Sequence, residues 1–258
     1  MTELAKLTYP EAAELFGPRT IAILPVGSTE PHGPHLPLDT DVTIALAQSR
    51  RAAELLEARG VRSMLLPPMS YGITRFAQGF AGGITLRPGT LWAFLEDLLI
   101  SLAQDDVRQL VISNGHLEPA HIKILRNICV DYAERGPNQC QVVFADNTRR
   151  RWAQTLSAEF QSGDCHAGSY ESSIVLAADP DAVREEERLA LPEKRVGLIE
   201  NMQKGVTSFE AMGADQAYCG APAEASAEEG REQVERLAEM IVTTCEEAWL
   251  DLFGSEEG

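Results

Sequence analysis

The chain holds five histidines, and all of them fall in three short segments that also carry acids. Residues 27–41 read GSTEPHGPHLPLDTD and hold Glu30, His32, His35 and Asp41. Residues 114–118 read NGHLE and hold His116 and Glu118, with His121 just beyond. Residues 163–173 read GDCHAGSYESS and hold His166 and Glu171. Histidines scattered for structural use would not group in this way. Imidazoles grouped with carboxylates form a mixed nitrogen and oxygen donor set, which suits Zn²⁺, Mn²⁺ or Fe²⁺.

In an extended loop Glu30 and His32, two residues apart, project to the same side. Asp41 stands where the next helix begins, so it is either a ligand or a plain helix cap. His116 and Glu118 repeat the theme of a histidine and an acid two residues apart. The competing reading of Glu118 is a first-turn acid favoured by the helix dipole. Glu30, His32, Asp41, His116 and Glu118 together make five candidate ligands. That is more than one tetrahedral ion with an open position takes, and it suits a pair of ions sharing a bridging carboxylate. His166 is placed beside them as a proton shuttle, with Glu171 on the first helical turn after it.

These segments resemble the metal motifs of the creatininase family, the creatinine amidohydrolases and related formamide hydrolases. GSTEPHGPHLPLDTD is similar to that family's first metal motif, NGHLE to its second and DCHAGSYESS to its third. Residues 213–222, GADQAYCGAP, resemble its Gly-rich approach to the last helix. The resemblance runs from about Ile21 to Gly230. It implies a three-layer α/β/α fold with a mostly parallel central sheet, and a ring-shaped homohexamer. It implies a two-metal site in which Asp41 bridges, Glu30 and His116 complete one side, and His32 and Glu118 the other. His166 matches the general acid/base, and Glu118 is the second catalytic candidate. Thr74 matches a substrate-contacting serine, and Leu117, Trp152 and Glu171 complete the expected substrate contacts. His35 and His121 match no ligand and are expected to pack. The implied reaction is hydrolysis of a C–N amide bond in a small cyclic amide or a formamide. A peptidase of the same fold and a non-catalytic metal-binding protein are the alternatives. Creatininase proper carries a tyrosine where this chain has Leu117, and aromatic residues before the catalytic histidine. Here that stretch is Gln161-Ser162-Gly163-Asp164-Cys165, so creatinine is expected to be a poor substrate.

Elements must bring the three segments together. Residues 20–26, 61–66, 108–113 and 141–145 read as strands. Residues 41–59, 90–104, 118–134, 148–160 and 169–177 read as helices, and 224–252 as a long amphipathic one. Residues 69–89 are Gly-rich and irregular, with residues 71–83 a candidate lid, and 179–221 read as surface loops. Alternating strands and helices predict a mostly parallel sheet covered on both faces. Ligands in such sheets bind beyond the carboxyl ends of the strands, where the segments after Val26 and Ser113 stand. No internal repeat or low-complexity linker divides the chain, so one domain is read over residues 1–258.

Composition narrows the function classes. Of 258 residues 44% are hydrophobic, enough for a sizeable core, yet no run approaches the eighteen or so apolar residues of a membrane span. A formal charge of −17, from 39 acids against 22 bases, argues against nucleic acid and anionic lipid as partners. A small substrate, neutral or partly cationic, is expected. The first residues lack the basic-then-apolar order of a signal peptide. Five cysteines without a CxxC pair predict free thiols in a reducing cytoplasm. No GxSxG elbow and no GxGxxG or GxxxxGK[ST] loop is present, which disfavours a serine hydrolase and a nucleotide-binding protein.

Overall fold

The computed structural model describes residues 1–136 and 139–254. Strands β1 (Ile21–Val26), β2 (Ser63–Leu65), β3 (Gln109–Asn114) and β4 (Gln141–Ala145) form a parallel sheet in the order β2-β1-β3-β4. The helices in chain order are α1 (Tyr9–Leu15), α2 (Thr40–Ala58), α3 (Pro88–Gln104), α4 (Pro119–Ala133), α5 (Arg150–Ala153), α6 (Ala158–Ser162), α7 (Ser169–Ala178), α8 (Glu185–Ala190), α9 (Leu198–Gln203) and α10 (Ala227–Ala248).

The central pair, β1 and β3, is buried on both faces, which is why both strands read as near-continuous apolar runs. Their alternate side chains enter two cores. Ile21, Ile23 and Val111 pack with Ile44 and Leu56 of α2, Ile174 of α7, and Leu237 and Ile241 of α10. Leu24, Leu110 and Ile112 face the other way, against Leu91, Leu95 and Leu99 of α3 and Leu125 of α4. The three layers are therefore α/β/α, as expected. No helix among the described residues is long and apolar enough to cross a membrane.

The register of the central pair sets up the site. Val26 lies opposite Asn114, and the Gly115 amide continues the ladder by donating to the Val26 carbonyl at 2.9 Å. The two strands thus release their loops side by side at the carboxyl edge. A Cβ on Gly27 would stand 2.6 Å from the Val42 nitrogen, and one on Gly115 would collide with the Asp41 carbonyl. These two glycines let both strand ends close against the first turn of α2, which carries Asp41.

Some elements depart from expectation. Residues 148–160 are not one helix: α5 stops after Ala153, and Ser157 starts α6 by accepting a bond from the Phe160 amide at 3.3 Å. The serine hydroxyl satisfies a helix-start donor, so two short helices at an angle cost little. Residues 179–221 are not all loop, since α8 and α9 lie within them; each is six residues, too short to register as a helical period. The last helix begins at Ala227 behind Ser226, whose hydroxyl accepts from the Glu229 amide at 3.2 Å. It breaks at Trp249 before a 3₁₀ turn over Leu250–Leu252.

Candidate active site

Asp41 is not the cap of α2. Asp39 holds that position, and Asp41 sits inside the first turn with its carboxylate turned to two imidazoles. Asp41 Oδ1 lies 3.2 Å from His32 Nε2, and Asp41 Oδ2 lies 2.9 Å from His116 Nδ1. Glu30 Oε1 is 3.3 Å from His116 Nδ1 and 3.9 Å from His32 Nε2. Glu171 Oε2, from the first turn of α7, is 3.5 Å from His32 Nε2. His166 Nδ1 stands 4.0 Å from Glu30 Oε1. All six residues are buried.

The backbone dictates which ring nitrogens are free. His32 Nδ1 lies 3.0 Å from the Glu30 carbonyl, His116 Nε2 lies 2.7 Å from the Ile73 carbonyl, and His166 Nε2 lies 3.0 Å from the Pro31 carbonyl. A carbonyl only accepts, so each of these nitrogens carries the proton of the neutral ring. The other nitrogen of each ring keeps a lone pair facing the acids, the arrangement of a metal-ligating histidine. His32 Nε2 and Asp41 Oδ2 make no hydrogen bond in this closed site. A buried polar atom left so is costly, and here the cost is removed by a proton or by a cation. Burial disfavours charge on both imidazoles. Around His32 the carboxylates of Asp41, Glu171 and Glu30 outweigh it and push the pKa up to about 10. Glu30 and Asp41 push His116 well above its ordinary value in the same way. A divalent ion would supply that positive charge directly, with the lone pairs as ligands.

The donors fit such ions in number and spacing. Glu30, Asp41 and His116 form one triad, and His32, Asp41 and Glu171 another, with donor atoms within 4.8 Å of one another in each. Asp41 belongs to both triads through opposite oxygens. A further grouping joins Glu30, His32 and His166. Burial, with Asp41 and Glu30 adding to it against His32, holds the Glu171 pKa up to about 8. Its Oε2 accepts from the Ala167 amide at 2.6 Å. Ala167 has φ of 51°, a left-handed conformation unusual for a residue with a side chain, and that turn aims the amide at Glu171.

Four of the five expected ligands, Glu30, His32, Asp41 and His116, come together in these groups. Glu118 does not join them. Its Oε2 accepts from the backbone amides of Arg75 and Phe76, the latter at 3.3 Å, and its carboxylate borders the chamber. Burial raises its pKa. Glu171, expected at the substrate, stands instead beside His32. Thr74 is also placed otherwise than expected: its hydroxyl donates to Glu30 Oε2, so it orients that carboxylate from behind. Leu117 does line the chamber. Trp152 does not. Because the helix breaks before Ser157, α5 carries Trp152 into a separate groove with Val130 of α4, Phe144 of β4 and Thr244 of α10. His121 packs edge-on to His116, ring centroids 4.9 Å apart, and bonds Asn114 Oδ1 at 3.2 Å. His35 bonds Ser172 Oγ at 2.9 Å.

The chamber beside the donors is about 40 Å³ and also touches Phe76, Leu198, Met202 and Phe209. None of these four stood out in the sequence. Phe76 lies in the Gly-rich stretch and the other three in residues read as loops. They meet only through the tertiary fold, where the Phe209 amide donates to the Phe76 carbonyl at 2.8 Å. No periodic or motif signal pointed to them.

Comparison with known proteins gives the chain a family. Residues 5–245 match the family model described as Creatininase: Creatinine amidohydrolase. A mycofactocin precursor peptide peptidase of Mycobacterium ulcerans is 32% identical over 222 residues, covering 81% of this chain and 78% of that protein. A creatinine amidohydrolase of Pseudomonas putida is 30% identical over 195 residues, covering 70% of this chain and 73% of that protein. The crystal structure of a creatinine amidohydrolase (creatininase) has the same fold, with a TM-score of 0.70 at 23% identity over 96% of this chain and 97% of that one. With the fold, the motifs and a match over nearly its whole length in agreement, the chain belongs to the creatininase family.

Proposed function

We propose that this protein hydrolyses a C–N amide bond with water activated at two divalent ions. Glu30, Asp41 and His116 would hold one ion and His32, Asp41 and Glu171 the other, with Asp41 between them. The supporting observation is the pair of inward-facing lone pairs on His32 and His116, which meet opposite oxygens of one buried aspartate. Zinc, manganese or iron bound there supplies Lewis acidity and makes water nucleophilic near neutral pH.

The chain's own residues move the protons and exclude solvent. Burial, reinforced by the neighbouring His32, lowers the His166 pKa to about 4, so at neutral pH the ring is uncharged and its Nδ1 lone pair is free to take the proton of the attacking water in passing. It returns that proton to the leaving nitrogen. Glu118 borders the same chamber outside the donor groups and is the second residue able to hold a proton. Phe209 and Phe76 form the apolar cover that keeps bulk water from the reacting atoms.

A peptide amide is the favoured substrate over creatinine or a formamide. The mycobacterial relative named for a precursor peptide supports this, and so does the roof of the chamber. One face of Phe209 is covered by His166, so Phe209 offers a flat polar ring one face at most. A closed homohexamer in the cytoplasm completes the reading, and sedimentation at micromolar concentration tests the assembly, a monomer overturning it.

The decisive measurement is turnover of three substrate types, a dipeptide, an N-formyl amino acid and creatinine, with metal content measured on the same sample. The expected result is hydrolysis of the dipeptide that disappears with chelator and returns with zinc or manganese. Bound metal without turnover of any amide would favour a non-catalytic protein, and full activity in metal-free protein would remove the mechanism.

A further inference from the structure

The chamber at the donors is too small for the body of a substrate. At about 40 Å³ it has room for little beyond the reacting atoms. It adjoins a second cavity of about 360 Å³, with Leu117, Cys165, Leu198 and Met202 lining both. The larger cavity falls in the ordinary size range of small-molecule pockets.

Its chemistry is one-sided. Ile122, Phe160 and Ile199 add to the apolar lining, and no carboxylate borders it. The one charged residue, Arg126, already has its guanidinium bonded to Asp146 at 2.7 Å and to Thr148 at 2.8 Å. Gln161, Gly163 and Cys165, from the stretch without an aromatic residue, supply the wall nearest His166. Nothing large in that stretch fills the space.

The adjoining wall is a built element. Leu198, Ile199 and Met202 stand on α9, and Asp164 holds the start of that helix. Its carboxylate accepts from the amides of Val196 and Gly197 at 3.0 Å each and of Leu198 at 2.7 Å. Gly163, at φ of 87°, leaves the place where a Cβ would run into Ile199. The turn that delivers His166 to the donors thus also hangs the cavity's wall.

We propose that this cavity is the subsite for a bulky apolar side chain, aromatic or branched aliphatic, borne by the substrate next to the scissile amide. The assignment deepens the amide-hydrolase reading and rests on it. Two features carry it: continuity with the chamber through four shared residues, and an apolar lining whose single cation is already paired.

The test uses full-length protein loaded with zinc or manganese. Gly-Gly, Gly-Phe and Phe-Gly share a peptide bond and differ in the side chain beside it. One of the two phenylalanine peptides should exceed Gly-Gly in kcat/KM by about tenfold or more. Ala153→Phe places a ring in the cavity from α5, away from the chamber, and should bring that ratio close to one with metal content retained. Equal kcat/KM for all three peptides, or a preference undiminished in the variant, overturns the subsite. Ile199→Ala, at an exposed position of α9, is the second variant and should shift preference toward a naphthylalanine peptide. Calorimetry with 3-phenylpropionamide separates the subsite from the chemistry. Binding to the wild type that weakens about tenfold or more in Ala153→Phe supports the subsite even if no peptide is cleaved, a result that sinks only the hydrolase reading. Absence of binding to the wild type, or equal binding to both proteins, overturns it.

Discussion

Phe209 lies nearly parallel to His166, with ring centroids 4.2 Å apart and planes 19° from parallel. The imidazole also meets His32, ring centroids 4.5 Å apart and planes tilted by 38°, and its Nε2 is bonded to the Pro31 carbonyl. A ring packed against two others and bonded at one nitrogen keeps its Nδ1 lone pair on the side of Glu30 and the chamber. In the proposed mechanism the stack would position the proton carrier.

Removing the stack separates positioning from metal binding. Phe209 offers no donor atom, so Phe209→Ala should leave metal content at the wild-type level. Turnover should fall by about 10²-fold, the usual effect of misplacing a reacting group by an ångström or so. His166→Ala should cost about 10²–10⁴-fold, also with metal retained. Metal analysis beside steady-state kinetics checks both. Loss of metal in either variant would mean that His166 belongs to the donor set.

The two candidate carboxylates for the second ion give opposite outcomes. Glu171 stands 3.5 Å from His32 Nε2, while Glu118 is occupied by two backbone amides. Glu171→Ala should bind one ion per chain where the wild type binds two. Glu118→Gln should keep two ions and lose turnover. The reverse pattern, read by elemental analysis after dialysis, would return Glu118 to the donor set.

How far the site was legible follows from which residues are local to one another. The loops after β1 and β3 announce themselves, because each donor pair follows an apolar run and the parallel register brings the strand ends together. Glu30, His32, Asp41 and His116 could be read from those segments. The choice between Glu118 and Glu171 could not, since both are acids at a helix start a few residues beyond a histidine. What sets them apart in the fold is the amides of Arg75 and Phe76, which come from a distant loop and hold Glu118, and the left-handed turn at Ala167 beside Glu171. Thr74 and Trp152 were misplaced for the same kind of reason. A hydroxyl can serve a ligand or a substrate equally well, and the break at Ser157 turns Trp152 of α5 into a separate groove. The strands and the long helices were readable because their periods are long enough to average over single exceptions.

His35 makes the folded protein acid-sensitive. It is fully buried, and burial, together with the nearby charge on His32 and Arg188, lowers its pKa from 6.5 to about 4. Between those values the unfolded chain binds a proton that the folded chain refuses, so folding weakens as pH falls from about 6.5 toward 4. Above that window His35 contributes no pH dependence. The loss across the window is up to about 3 kcal/mol. His35→Gln lacks the titrating group, so its melting temperature should fall less than that of the wild type between pH 7 and pH 5. Melting curves that shift in parallel for the two proteins would remove this role.

Asp164 is the residue whose loss should loosen the pocket without emptying it of metal. Its side chain is buried, and its carboxylate accepts three amides at the start of α9. In Asp164→Ala those amides lose their acceptor, and each buried donor left so costs about 1–3 kcal/mol unless it reaches water. A helix of six residues has little else to hold it, so the local answer is for α9 to open. Hydrogen exchange at Val196, Gly197 and Leu198 should then accelerate ahead of the sheet amides, and KM for an apolar peptide should rise about tenfold or more with metal content unchanged. Asp164→Asn keeps one accepting oxygen and should fall between the two. Should kcat drop while KM and exchange at Val196–Leu198 stay at wild-type levels, Asp164 would be acting through its neighbour His166 and not through the wall of the cavity.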